Sequence, residues 1–151
     1  MTELKQISPH QVPALLEQGH VYIDVRSEPE FEQGRIPGAL NVPIAHRIAA
    51  VMQPNAEFLQ VMQAAFGKDA KLIVGCASGN RSLRAAQMLL QAGFTDVTNM
   101  PAGFVGSRDP FGRPIPGYSQ QNLPIETGKP ASGSYADVKG RTGTIRKPRT
   151  S

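Results

Sequence analysis

The 151-residue chain predicts an α/β fold: a parallel β-sheet of about five strands with helices on both faces, then an irregular C-terminal extension. Three observations predict it. Short β-rich apolar runs alternate with helical stripes along the first hundred residues. The run KLIVG (Lys71 to Gly75) reads as a strand covered on both faces, which lacks the polar alternation of a half-exposed one. From Gly103 onward the alternation stops and Gly, Pro, Arg and Asp take over.

Ser8 and Gln11 have capping-box spacing, with Pro9 suited to a first helical turn, so a helix begins between Pro9 and Gln11. Val12, Leu15 and Leu16 form its apolar stripe and Gly19 ends it. VYIDV (Val21 to Val25) is a buried strand. Ser27 and Glu30 make a second capping box, opening a short helix over Pro29 to Gln33 that Gly34 closes. ALNVP (Ala39 to Pro43) is a short strand behind the turn Pro37-Gly38. Asn55 is placed to cap a helix with Phe58, Leu59, Met62, Ala65 and Phe66 on one face. After KLIVG and the loop CASGNR comes a helix from Ser82 to Gln91, with Leu83, Ala86, Leu89 and Leu90 inward and Gly93 at its end. DVTNM (Asp96 to Met100) is the last strand. Two units are expected: a domain over 1–126, with a loop insertion at 103–117, and a basic, flexible tail over 127–151.

Composition narrows the function classes. Apolar residues make up 40% and charged residues 19%, as in a folded soluble domain rather than a disordered chain. No run approaches the roughly 18 apolar residues of a membrane span, and the first residues lack a secretory apolar region, so a cytoplasmic protein is expected. One cysteine excludes an internal disulfide and a cysteine-rich zinc site. His10, His20 and His46 match no ligand spacing; no metal and no cofactor are expected. The net charge of +4 resides in the tail, where six Lys/Arg face only Asp137, so the basic pI is no evidence for a basic binding surface on the domain.

Cys76 directly follows the KLIVG strand, and ligands in such folds sit at the carboxyl ends of strands. The thiolate, not the thiol, is the nucleophile, so a reactive site must stabilise an anion. A helix N-terminus supplies typically ~0.3–1 kcal/mol, too little alone. Loop amides turned toward the sulfur and the charge of Arg81 are expected to add to it. Gly79 lets the backbone curl, Asn80 tolerates unusual dihedrals and Ser82 is placed to cap the helix. The residues alone leave a plain strand-turn-helix with a buried cysteine as an equal alternative.

The motifs IDVRSEPEFEQGRIPGALNVP (Ile23 to Pro43) and IVGCASGNRSLRAA (Ile73 to Ala86) resemble the rhodanese domain. Asp24, Val25, Arg26, Glu30, Gly34, Ile36, Pro37, Gly38 and Ala39 match its first motif, with Arg35 where histidine is usual. The second motif resembles its six-residue active-site loop, Cys76 to Arg81; Gly93-Phe94 and Val97 fit its closing strand. PGYSQQNLPIE (Pro116 to Glu126) is similar to its closing segment, with Tyr118 for a tryptophan and Leu123-Pro124 matching. The likeness covers about residues 5–126. It implies a rhodanese-like fold and a ping-pong sulfurtransferase. Cys76 would take sulfane sulfur from a donor such as thiosulfate as a persulfide and yield it to a thiol or cyanide. Ala77, Ser78, Gly79, Asn80, Arg81 and Ser82 would form the substrate-binding loop, and Asp24, Arg26 and Glu30 would support it.

A phosphatase on this fold needs one more loop residue than the four between Cys76 and Arg81. A non-catalytic rhodanese module for binding or regulation is the other reading. The expected partners are a small-molecule donor and acceptor, with an acceptor protein and a homodimer left open; no membrane or nucleic acid is called for. For the tail, the alternatives to a solvated extension are an arm packed through Tyr135 and Val138, or an acidic partner at Arg141, Arg146, Lys147 and Arg149.

Overall fold

The computed structural model describes residues 4–140. In chain order its elements are β1 (Lys5–Gln6), α1 (Val12–Glu17), β2 (Val21–Asp24), α2 (Glu28–Gln33), β3 (Leu40–Asn41), β4 (Ala45–Ile48), β5 (Val51–Pro54), α3 (Phe58–Ala65), β6 (Leu72–Gly75), α4 (Asn80–Gln91), β7 (Val97–Asn99), β8 (Gly106–Arg108) and β9 (Pro114–Pro116). Five strands form one sheet in the order β1-β7-β6-β2-β3, and every pairing in it is parallel. The expected α/β architecture, a parallel sheet of five strands, is therefore what the chain adopts.

The alternation of side chains along β2 and β6 divides the interior in two. Ile23, Leu72, Val74 and Val97 pack with α3 and α4 on one face. Tyr22 and Ile73 pack with Val12 of α1 and Phe31 of α2 on the other. Each fully buried aliphatic side chain contributes about 1.5–3 kcal/mol by leaving water. The register aligns Asp24 with both Asn41 and Gly75, so the carboxyl ends of β2, β3 and β6 lie side by side. Gly75 is forced there: a Cβ at that position would collide with the Tyr22 hydroxyl.

Three features differ from the expectation. β1 is a two-residue edge strand, too short and too polar (Lys5, Gln6) to leave a pattern. A hairpin, β4–β5, fills the stretch before α3, which the sequence leaves blank. The supposed irregular loop at 103–117 contains a second hairpin, β8–β9. Its turn is fixed by Asp109, whose carboxylate accepts from the N–H groups of Phe111 and Arg113 at 2.9 Å each.

The flexible-tail expectation is corrected over 127–140. Residues 135–140 are helical, and Tyr135 and Val138 are buried with α3 in the first core. Asn55 Nδ2 donates to the Tyr135 hydroxyl at 3.0 Å, and the Asn41 N–H donates to the Gly133 carbonyl at 2.8 Å. Arg141, Arg146, Lys147 and Arg149 lie outside the described residues. Among the described residues no helix is long and apolar enough to cross a membrane.

Candidate active site

Cys76 directly follows β6 and lies at the floor of the loop that leads into α4, 1% exposed. The loop wraps its sulfur. Gly79 N–H donates to Sγ at 3.1 Å and Ser82 N–H at 3.3 Å. The thiol points at Ser82 Oγ, 3.5 Å away, and that hydroxyl donates in turn to the Gly79 carbonyl. Gly79 carries φ +100°, and a Cβ there would collide with the Pro101 carbonyl oxygen. Only glycine fits both demands. It is also the N-cap of α4, so the helix starts at Asn80 rather than at Ser82. Ser82 is thus not the cap; it lies buried in the first turn with its amide on the sulfur. The helix N-terminus and two amides converge on one sulfur atom, an arrangement that stabilises an anion there.

The Arg81 charge, expected to act on the sulfur, is held chiefly by a carboxylate, with Cys76 a smaller electrostatic partner. Arg81 forms a two-point pair with Glu30: Nη1 to Oε1 at 2.8 Å and Nη2 to Oε2 at 2.9 Å. Glu30 Oε1 also accepts from the Ser27 N–H at 3.0 Å and from the Ser27 hydroxyl at 2.8 Å. One carboxylate therefore caps α2 and anchors the loop from Cys76 to Ser82 to it. Burial opposes its ionisation, yet the Arg81 and Ser27 hydrogen bonds outweigh burial and hold the carboxyl down at about 2. A depressed carboxyl contributes stability that is complete above its unfolded value near 4.5 and is lost as pH falls through about 2. Glu30→Gln should flatten this part of the acid-unfolding curve, read by circular dichroism between those two values. An unchanged curve would mean the pair contributes nothing.

Asp24 and Arg26 sit behind this loop as a buried pair, at 2% and 4% exposure. Arg26 Nη2 donates to Asp24 Oδ2 at 2.7 Å and to the Gly34 carbonyl at 2.6 Å, and Arg26 Nε donates to Asp24 Oδ1 at 2.9 Å. Its guanidinium lies 4.5 Å over the Phe104 ring, which stacks on Tyr118. Asn41 Nδ2 ties the carbonyls of both Asp24 and Arg26. The pair locks the end of β2 to α2 and to the segment after β7. Both Asp24 oxygens and the Nε and Nη2 of Arg26 are engaged in that role.

Residues the motifs did not single out complete the site. Phe104 N–H donates to the Cys76 carbonyl at 2.8 Å, and Val105 N–H donates to that of Ala77 at 2.9 Å. Gly103, at φ +74°, makes this approach: a Cβ there would run into the Ala77 carbonyl. The start of the insertion is thus a clamp on the outer limb of the loop. Two hollows flank the loop, and Asn80 lines both. One, of about 390 Å³, lies between α4 and the β4–β5 hairpin. The other, of about 480 Å³, lies against β8–β9 and is lined by Ser78, Ser107, Arg108 and Gln120.

Known proteins resemble this chain. The family model of the rhodanese-like domain matches residues 8–108. The chain is 47% identical over 90 residues to thiosulfate sulfurtransferase 16, chloroplastic, from Arabidopsis thaliana; the match covers 60% of this chain and 75% of the relative. It is 42% identical over 112 residues to the senescence-associated protein DIN1 of Raphanus sativus, covering 74% of this chain but only 55% of that longer protein. Among solved structures it resembles Rv0390 from M. tuberculosis, with a TM-score of 0.67 and 28% identity, over 84% of this chain and 100% of that one.

Proposed function

The chain belongs to the rhodanese-like domain family, and from that premise we propose that it is a sulfurtransferase carrying sulfur on Cys76. The observation that carries the proposal is the cradle: the Gly79 and Ser82 amides at 3.1 and 3.3 Å from Sγ, at the start of α4. The Cys76 thiolate attacks the sulfane sulfur of thiosulfate or of a persulfide donor. The new bond joins Sγ to that sulfur, and sulfite or the donor thiolate leaves. The outer sulfur of the persulfide carries the charge next. The amides of Ala77 and Ser78, which have no partner among the described residues, supply further donors for it. A thiol or cyanide then takes that sulfur and Cys76 leaves as thiolate. A relative named as a thiosulfate sulfurtransferase supports the donor class.

The roles follow from the contacts. Cys76 is the catalytic residue; Ala77 to Ser82 form the binding loop; Glu30 and Arg81 hold its inner limb, and Asp24 and Arg26 hold the scaffold behind it. The proposal includes a cytoplasmic protein acting on a small-molecule donor, without cofactor, membrane or nucleic acid. A thiol, cyanide or an acceptor protein takes the sulfur, and a homodimer is compatible with it. Intact-mass measurement tests it. Thiosulfate treatment should add one sulfur, about 32 Da, and cyanide should remove it. No mass gain with either donor class would leave the chain a binding module.

A further inference from the structure

The cavity of about 390 Å³ beside α4 lies within the range of roughly 300–1,000 Å³ typical of small-ligand sites. Ile44, Met52 and Pro54 form one wall from the β4–β5 side. Asn80, Arg84 and Met88 form the other. These three recur every four residues, so they lie in one stripe along α4, running from the catalytic loop outward for about 12 Å. Thiosulfate, a compact dianion, has no apolar body to lie against Met52, Met88 and Ile44. The opposite hollow, with Ser78, Ser107 and Arg108, is the polar one. A two-step transfer has a second substrate, and the apolar cavity is the place for it.

Charge says more about that substrate. Arg81, at the inner end, is neutralised by Glu30. Arg84, one turn further out, is exposed and has no carboxylate partner among the described residues. A single uncompensated cation over an apolar floor complements a molecule with an apolar chain and one acidic group. The three-residue rise from the loop to Arg84 is about 5 Å, so the acid must be separated from the reacting end by several carbons.

We infer that the physiological acceptor is a thiol with a short apolar chain and a terminal carboxylate, bound between α4 and the β4–β5 hairpin with its acid on Arg84. The inference rests on the sulfurtransferase reading. Its step balances without an oxidant. The acceptor thiolate, its proton already lost to water, attacks the outer sulfur of the Cys76 persulfide. A sulfur–sulfur bond to the acceptor forms, the bond to Sγ breaks, and Cys76 leaves as thiolate. The product is the acceptor persulfide anion, which carries away the negative charge that the outer sulfur bore.

The experiment compares 6-mercaptohexanoate, 6-mercaptohexanol and 3-mercaptopropionate as acceptors with thiosulfate as donor. The hexanoate should have a KM about tenfold below those of the other two, the size of one partly exposed charge-assisted contact or of a few buried methylenes. Arg84→Gln should erase the preference over the alcohol. Met52→Gln should erase the preference over the short acid. In parallel, hexanoate, which has no thiol, should shift the amide NMR signals of Arg84 and Met52 in the wild type and not in Arg84→Gln. Turnover of cyanide with no preference among the thiols, or a preference that survives Arg84→Gln, would overturn the inference alone. Hexanoate binding that needs Arg84, in a protein that takes up no sulfur, would uphold the acid-binding cavity and overturn the sulfurtransferase reading.

Discussion

Cys76→Ser should abolish sulfur transfer, with activity falling by at least about three orders of magnitude, as when a nucleophile is removed. A hydroxyl forms no persulfide, so no residual ping-pong route remains. The fold should survive. Serine is nearly the same shape, and its oxygen can still accept from the amides of Gly79 and Ser82 that now meet Sγ. Cys76→Ala is the informative companion. A methyl group accepts nothing, so two N–H groups at a buried helix start lose their partner, at about 1–3 kcal/mol for an unsatisfied donor. For a chain of this size each kcal/mol moves Tm by roughly 2–4 °C. Cys76→Ala should therefore melt several degrees below Cys76→Ser while both are inactive. If the two variants melt together, the amides do not hold the sulfur. If Cys76→Ser retains more than a trace of turnover with thiosulfate and cyanide, Cys76 is not the nucleophile.

The sulfur cradle was legible in the sequence because its parts are local. A strand, a cysteine, a glycine and a helix start follow one another in ten residues, and local geometry leaves them little choice. The direction of Arg81 was not legible, since its partner Glu30 lies 51 positions away. Glu30 announced itself only as the third residue of a capping box, which says nothing about its second oxygen. The clamp at Phe104 to Val105 was equally silent. It acts through backbone N–H groups, which every residue has. Gly103 was the one available sign, visible only as a glycine where a loop begins.

The same distinction runs through the fold. KLIVG and VYIDV showed themselves because a strand buried on both faces is apolar throughout. The β4–β5 hairpin did not. Its turn is Ala49-Ala50, with φ of +52° and +67°, and the glycine or asparagine that normally marks such a turn is missing. Two alanines in the left-handed region cost roughly 1–2 kcal/mol each, a local conflict held in place by four pairs of facing residues. The strain lies at the tip of the element that walls the apolar cavity.

The C-terminal segment gives the sharpest conflict between composition and structure, and a direct test. Composition over 127–151, rich in Gly, Ser, Thr, Lys and Arg, argues for a solvated extension, and a solvated residue is replaced at almost no cost. Tyr135 is instead 5% exposed, against α3 and His46. It was the only aromatic in that stretch, and one aromatic with one valine suffices when the domain supplies the rest of the pocket. Tyr135→Ala should destabilise the protein by about 3–4 kcal/mol, the usual cost of removing a buried aromatic side chain. That corresponds to a fall in Tm of roughly 10 °C. Part of the cost is polar. Asn55 Nδ2 loses its bond to the tyrosine hydroxyl and keeps only the Pro43 carbonyl at 2.9 Å. Tyr135→Phe isolates that part, and should cost about 1 kcal/mol. Well below the melting range, both variants should still transfer sulfur, since neither side chain touches the loop from Cys76 to Ser82. A thermal melt of Tyr135→Ala that superimposes on the wild type would show that the segment is not docked in solution. Lost turnover in a variant that melts normally would mean instead that the segment reaches the active site.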